Sequence, residues 1–308
     1  MVERTALVIG TRGSPLALRQ AHETQDRLAA ALGWERTQLP LSVIKTTGDM
    51  IQDRPLSEAG GKGLFTKELD VALLGGAIDL AVHSAKDLPT RLPDGLGIAG
   101  YLPREDARDA FISRVARDIA TLPRGAVVGS ASLRRQAQIR RARPDVEITL
   151  LRGNVGTRLA RTENGEIAAT LLAVAGLKRL DLLDHATAIL DPDEFLPAVG
   201  QGAIAIVTRA ADDSVRRLVA SVLDHATGVA LTAERAFLAV LDGSCRTPIA
   251  GHARLVDGQV SFRGLVLRPD GSQSIDVARD GAVADAERIG DDAGREVKAR
   301  MPAGMLTA

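Results

Sequence analysis

The stretch LDGSCRTPIAG, residues 241–251, holds the only cysteine of a 308-residue chain. One cysteine cannot close a disulfide within its own chain. Cys245 also lacks the apolar stripe of a structural thiol, since it follows Gly243-Ser244 and precedes Arg246-Thr247-Pro248. Turn formers keep it accessible and a nearby guanidinium favours the thiolate, so two readings stay open, a packed thiol or a reactive one. A second cluster lies in AVHSAKDLPT (81–90), where an apolar run ends at His83-Ser84 and Lys86-Asp87 follow at once. In a loop overlooking a cleft, an ionised Asp87 stabilises a developing cation or holds an N–H donor, with Lys86 pairing a substrate carboxylate. The alternative is that Lys86 and Asp87 pair with each other or cap the next helix. His83, inside the apolar run, reads as a core or supporting histidine rather than a base.

Arginines and hydroxyls gather where predicted strands end and helices begin: Arg12 and Ser14; Ser130, Ser132, Arg134 and Arg135; Arg152 and Arg158. In open α/β sheets the crevice at the carboxyl ends of the strands is the usual ligand site, and helix N-termini add unpaired N–H donors there. Such a crevice suits a ligand with several carboxylates or phosphates, because the arginine fork binds carboxylate bidentately and stays charged. Only six of 39 basic residues are lysines, so a lone arginine says little here; Arg140, Arg141 and Arg143, deeper in a helix, read as a solvated face. GGKGLF (60–65) is not a nucleotide loop, since Gly63 stands where Ser or Thr should follow Lys62; it reads as a flap or a surface turn. The five histidines never fall at metal-ligand spacing, and His252, seven residues past Cys245, completes no thiol-hydrolase order.

These residues need elements to hold them. TALVIG (5–10) and LSVIKT (41–46) read as strands around a helix opened by Ser14-Pro15, and 60–76 as a loop, a helix and a glycine stop before the strand IDLAVHS. The pattern restarts near 101–111. VVGSAS, the helix LRRQAQIRRAR, VEITLL and IAATLLAV follow, and VGSASLRRQ echoes IGTRGSPLALRQ. AIAIVTR (203–209) is a late strand that returns to the first domain. Beyond about 225, Asp257-Gly258 and Pro269-Asp270-Gly271 punctuate three alternating runs into an antiparallel meander, with a last helix over 283–300. The predicted fold is two α/β domains with mostly parallel sheets plus a smaller α+β domain with a three-stranded antiparallel sheet. The boundaries are 1–102 with 200–222, 103–199, and 223–308.

Composition narrows the classes. Hydrophobic residues make up 45% and charged ones 25%, and 39 basic residues balance 39 acidic, so no long-range field draws a nucleic acid or membrane surface. Aromatics at 2% supply no stacking platform for single strands. The apolar run at 6–10 is too short for a signal segment and no stretch is long enough to span a bilayer, so the expected compartment is the cytoplasm.

TRGSPLALRQ, KTTGD, GGKGLFTKELD, AVHSAKDLPT, REDARDAF, GSASLRRQAQI, LRGNVGTRL, LLAVAGLKRL, LPAVGQGAIAI and ERAFLAVLDGSCRTPIA, taken in order, resemble the porphobilinogen deaminase family over residues 8–252. The resemblance implies a monomeric transferase of tetrapyrrole biosynthesis with three domains, the first two like periplasmic binding proteins. It joins four porphobilinogen units head to tail, releases four ammonia molecules and gives hydroxymethylbilane. It implies a dipyrromethane cofactor held by a thioether to Cys245, with Lys86, Ser130, Ser132, Arg134, Arg135 and Arg158 around the cofactor. Arg12, Ser14, Arg152 and Arg179 fall on substrate-binding positions, Lys62 and Phe65 on a flexible loop, and Asp87 on the catalytic aspartate. Loss of ammonia leaves an electron-poor azafulvene, and a carboxylate facing pyrrole N–H groups stabilises the cations on either side of that step. Gly13 stands where many relatives carry Gln, and Val8 where some carry Arg. Two rivals remain: a carboxylate-binding module of the same two-lobed fold, which would need neither Cys245 nor Asp87, and a thiol hydrolase or acyltransferase using Cys245.

Overall fold

The computed structural model describes residues 4–50, 63–243 and 247–306, so Lys62 and Cys245 lie outside the described residues. The chain runs β1 (Ile9–Arg12), α1 (Pro15–Leu32), β2 (Leu41–Ile44), α2 (Thr47–Met50), α3 (Lys67–Leu74), β3 (Leu80–Ser84), β4 (Leu96–Tyr101) and β5 (Asp109–Ser113). It continues through β6 (Val127–Gly129), α4 (Leu133–Ala142), β7 (Glu147–Thr149), α5 (Val155–Glu163), β8 (Ala169–Ala173), α6 (Val174–Arg179), β9 (Ala188–Ile189), β10 (Ile204–Arg209) and α7 (Asp213–Ala220). Then come α8 (His225–Val240), β11 (Ile249–Val256), β12 (Gln259–Leu267), β13 (Ser274–Ala282) and α9 (Ala286–Arg300). Among the described residues, 4–50, 63–105 and 203–228 form one compact unit, and the remainder of the chain from 106 a second.

The first unit carries a sheet of order β2-β1-β3-β10-β4. β1 pairs parallel with β2 and β3, whereas β10 pairs antiparallel with β3 and β4, so four strands point one way and the returning strand runs against them. The ladder starts later than the apolar run TALVIG suggested. It opens at Ile9↔Leu41, because Pro40 has no N–H to extend it backwards, and it reaches Arg12, which therefore stands on the strand end itself. Ser14 then caps α1, its hydroxyl accepting from Ala17 N at 3.3 Å, with Pro15 at the first helical position. At the opposite end of the sheet Arg209 fastens β10, donating to Leu73 O (2.8 Å) and Ile78 O (2.9 Å) while pairing Asp79 and Asp212.

His83, on β3, is buried. Desolvation first, and then the charge of Arg12, push its pKa from 6.5 down to about 4, so the imidazole is neutral near pH 7.

The second unit holds a sheet of order β7-β6-β8-β5-β9 with the same pattern: β6 parallel to β7 and β8, β5 antiparallel to β8 and β9. β6 and α4 occupy the places of β1 and α1, which gives the echo between VGSASLRRQ and IGTRGSPLALRQ its structural meaning. The same unit contains the meander β11-β12-β13. Val256 pairs with Gln259, leaving Asp257 and Gly258, both at positive φ (51° and 76°), as a two-residue turn whose twist suits the hairpin. α8 and α9 cover this sheet, with Phe237 tilted against Phe262 at 5.1 Å between ring centroids.

Glu234 on α8 is fully buried and ties three segments: its carboxylate accepts from Gly200 N (2.7 Å) and from Ala253 N on β11 (2.8 Å). Glu234→Ala would strand two buried N–H donors at a cost of about 1–3 kcal/mol each, and the expected result is a clear drop in thermal midpoint. A second prediction follows from His83. The unfolded state binds a proton that the folded state refuses, so its contribution to stability is complete above pH 6.5 and lost as pH falls towards about 4. In His83→Phe the decline of the thermal midpoint across that window should be visibly shallower than in the parent.

Candidate active site

Each unit places its functional side chains at the carboxyl ends of its parallel strands. In the first, Asp87 closes a single helical turn, Ala85–Asp87, directly after β3. Its Oδ2 lies 3.9 Å from Arg12 Nη1, both side chains partly exposed. The guanidinium of Arg12 also stacks over Phe65, 4.2 Å from the ring centroid. Phe65 is seated by Gly48 of KTTGD: Gly48 N donates to Leu64 O (2.8 Å), and a Cβ on Gly48 would stand 2.4 Å from the Phe65 ring. Gly48 of KTTGD and Leu64-Phe65 thus meet under the guanidinium that lies 3.9 Å from Asp87. Gln20 from α1 bonds Ser84 (2.9 Å), holding the end of β3 next to Lys86. Ser14 spends its hydroxyl as the α1 cap, at the N-terminus whose dipole favours an anion.

In the second unit Ser130 and Ser132 follow β6. Ser130 is buried, its hydroxyl accepting from Ser132 N (3.2 Å), and Ser132 caps α4 through Arg135 N (3.4 Å). Arg134 and Arg135 are buried rather than displayed. Both pair with Asp109 at the start of β5: Arg134 Nη1 to Oδ2 at 2.8 Å, Arg135 Nη2 and Nε to Oδ1 at 2.7 and 3.0 Å. Arg135 Nη1 adds Leu171 O (2.9 Å) and Arg134 Nη1 adds Leu196 O (2.8 Å), while Arg134 Nε, buried, has no hydrogen-bond partner. Gln201 Nε2 completes Asp109 Oδ1 at 3.0 Å and bonds Ala107 O at 2.7 Å. The two guanidinium groups hold the Asp109 carboxyl far below its ordinary range despite full burial, and desolvation lowers Arg134. Arg152, partly exposed, follows β7, Arg158 on α5 donates to Gly153 O (2.9 Å), and Arg179, ending α6, donates to Gly202 O (3.2 Å).

The helical arginines divide differently from the sequence reading. Arg141 is half exposed, but Arg140 donates to Pro269 O (2.8 Å), and Arg143 curls onto Asp145 and the carbonyls of Ile119 and Ala120. Arg143 closes the helix end instead of facing solvent, because its terminal position puts loop carbonyls within reach. Sequence reasoning also passed over Asp109, Gln201 and Gln20. The available signal was a lone carboxylate heading the apolar run DAFIS, which burial obliges to find partners. No group of three or more His, Cys, Asp or Glu among the described residues could hold a metal ion, and no described helix is long and apolar enough to cross a membrane.

Comparison with known proteins supplies the family. Residues 7–217 match the family described as porphobilinogen deaminase, dipyromethane cofactor binding domain, and residues 229–299 match porphobilinogen deaminase, C-terminal domain. Curated porphobilinogen deaminases of Nitrobacter hamburgensis and Nitrobacter winogradskyi are 58% and 57% identical over 292 residues, covering 95% of this chain and 92% of each relative. Among solved structures, the VFT2 domain of Bordetella pertussis BvgS aligns with a TM-score of 0.42 at 15% identity, covering 72% of this chain and 88% of that one. A periplasmic binding protein of Salmonella typhimurium with high arginine specificity aligns with a TM-score of 0.42 at 11% identity, covering 70% and 91%. With both of its family segments matched and relatives of this identity along nearly its whole length, this chain belongs to the porphobilinogen deaminase family.

Proposed function

We infer that this chain polymerises porphobilinogen head to tail, releasing ammonia at each addition, to make hydroxymethylbilane from four units. The observation that carries the reading is the buried cluster in the second unit, where two guanidinium groups share one carboxylate and Arg134 Nε is left without a partner. That surplus of positive charge and buried donor suits a ligand rich in carboxylates, and porphobilinogen brings an acetate and a propionate on every ring.

The same cluster fits a dipyrromethane, whose two rings bring two acetates and two propionates. Ser130, Ser132, Arg134, Arg135, Arg158 and Lys86 would hold it, and Cys245 would tether it. When bound, it supplies the pyrrole with a free α-carbon to which substrate is added. The chain's own groups do the rest. Arg12, Arg152 and Arg179, with Ser14, orient substrate carboxylates. Asp87, beside Arg12 at the end of β3, faces the pyrrole N–H and stabilises positive charge as ammonia leaves the incoming unit. His83, on the strand that leads to Asp87, is neutral and adds no positive charge of its own. Lys62 and Phe65 are the residues we assign to the family's flexible-loop positions, with Phe65 also a platform for Arg12.

We read the chain as three domains, 1–102 with 200–222, 103–199 and 223–308, one for each sheet, supported by the separation of strands into three ladders. We further read it as a monomer acting in the cytoplasm.

Intact-protein mass tests the central claim: the purified parent should carry an adduct equal to two linked pyrroles and Cys245→Ala should run at its bare sequence mass. An active parent without adduct would overturn the reading. Asp87→Asn should keep the adduct yet lose roughly 100- to 1,000-fold in kcat, the scale for removing a group that acts mainly on transition-state charge. Turnover within a few-fold of the parent would remove Asp87 from the catalytic role.

A further inference from the structure

Arg134 and Arg135 are neighbours on a helix, and side chains at successive helical positions do not face each other. A shared acceptor is what brings these two guanidinium groups together, and Asp109 divides them unequally. Its Oδ1 takes Nε and Nη2 of Arg135, whose Nη1 is already on Leu171 O, so every nitrogen of that fork is directed into the protein. Its Oδ2 meets Nη1 of Arg134 only as an ion pair at 2.8 Å, so Oδ2 and the buried Nε of Arg134 are both left without a hydrogen-bond partner. Gln201, itself buried, adds a third donor to Oδ1 and fixes the carboxylate between the two cations. Two positive charges against one negative leave a net positive unit in a site almost closed to water, where an uncompensated charge is costly until an anion completes it.

We propose that Asp109 is a positioning residue for the reaction: its carboxylate locks Arg135 as a charge-setting group and aims Arg134 as the arginine that meets a ligand carboxylate. The proposal rests on the reading that these arginines hold the pyrrole primer, and it assigns them different tasks. Asp109 touches neither substrate nor primer; it acts through the guanidinium groups.

The test compares Asp109→Asn, Asp109→Glu, Arg134→Gln and the Asp109→Asn/Arg134→Gln double variant in the full chain, expressed with its natural supply of substrate. Three readouts are taken: the fraction bearing the two-pyrrole adduct by intact mass, KM and kcat, and the folded fraction by circular dichroism. In folded Asp109→Asn the adduct-bearing fraction should drop about tenfold or more, as when one member of a buried charge pair is removed. Asp109→Glu, which keeps the charge, should recover part of the loading and serves if the asparagine variant does not fold. In the Arg134→Gln background, Asp109→Asn should add little further loss, since both changes disable the same group. Parent-like loading and turnover per folded molecule in both Asp109 variants, beside poor loading in Arg134→Gln, would overturn this proposal alone. Losses that simply add in the double variant would also overturn it, by showing that Asp109 acts elsewhere. Full loading in Arg134→Gln would instead overturn the reading of the arginines as primer holders, and the proposal with it.

Discussion

One buried carboxylate shared by two guanidinium groups is the constraint around which the second unit is assembled. Stripping water from three ionised groups costs several kcal/mol for each, and only close pairing with further hydrogen bonds returns it. Asp109, Arg134, Arg135, Gln201 and the carbonyls of Leu171 and Leu196 must therefore all be in place at once. That requirement commits β5, α4, β8 and the 196–201 segment to one arrangement. Apolar side chains of the same volume would generally stabilise such a core at least as well, so what the cluster adds is the fixed placement of its charged groups.

The two sheets solve a common problem in a common way. Each has four strands pointing one direction and one reversed in the fourth position, so the ends of the parallel strands and the starts of α1 and α4 lie on the same edge of their own sheet. Ser14 and Ser132 are equivalent caps on equivalent helices. A cap hydroxyl leaves other N–H groups of the first turn for an anion, and a strand end delivers a side chain beside them. The chain enters the second sheet by β5 and leaves it after β9, and β10 then returns to complete the first sheet; β5 and β10 are the reversed members of the two sheets.

What could be read from the sequence was whatever local chemistry dictates. Ser14-Pro15, the glycine stop after α3, Asp257-Gly258 and the alternating runs before and after it each act within a few residues, and the elements they announced are there. The positions of Arg12, Asp87, Ser130 and Ser132 at strand ends were legible for the same reason. Asp109 was not, since its meaning depends on Gln201, 92 residues away, and on a helix face that periodicity alone does not orient. Glu234 was hidden likewise, its partners Gly200 and Ala253 lying on either side of it in sequence and meeting only in the fold. The arginine-rich helix misled because composition cannot tell a solvated guanidinium from one such as Arg143 that ends a helix on carbonyls.

Arginine is fixed in this protein by two physically different means, and the difference matters for chemistry. Arg135 is held by a carboxylate, which aims it but also spends most of its charge. Arg12 stacks on the face of Phe65, an attraction to the ring quadrupole. Its distance of 3.9 Å from Asp87 is longer than a charge-assisted hydrogen bond, so neither group neutralises the other through a tight fork. Phe65 in turn is seated on Gly48, where no side chain larger than hydrogen fits, so the ring under the Arg12 guanidinium is itself held by close packing against the backbone.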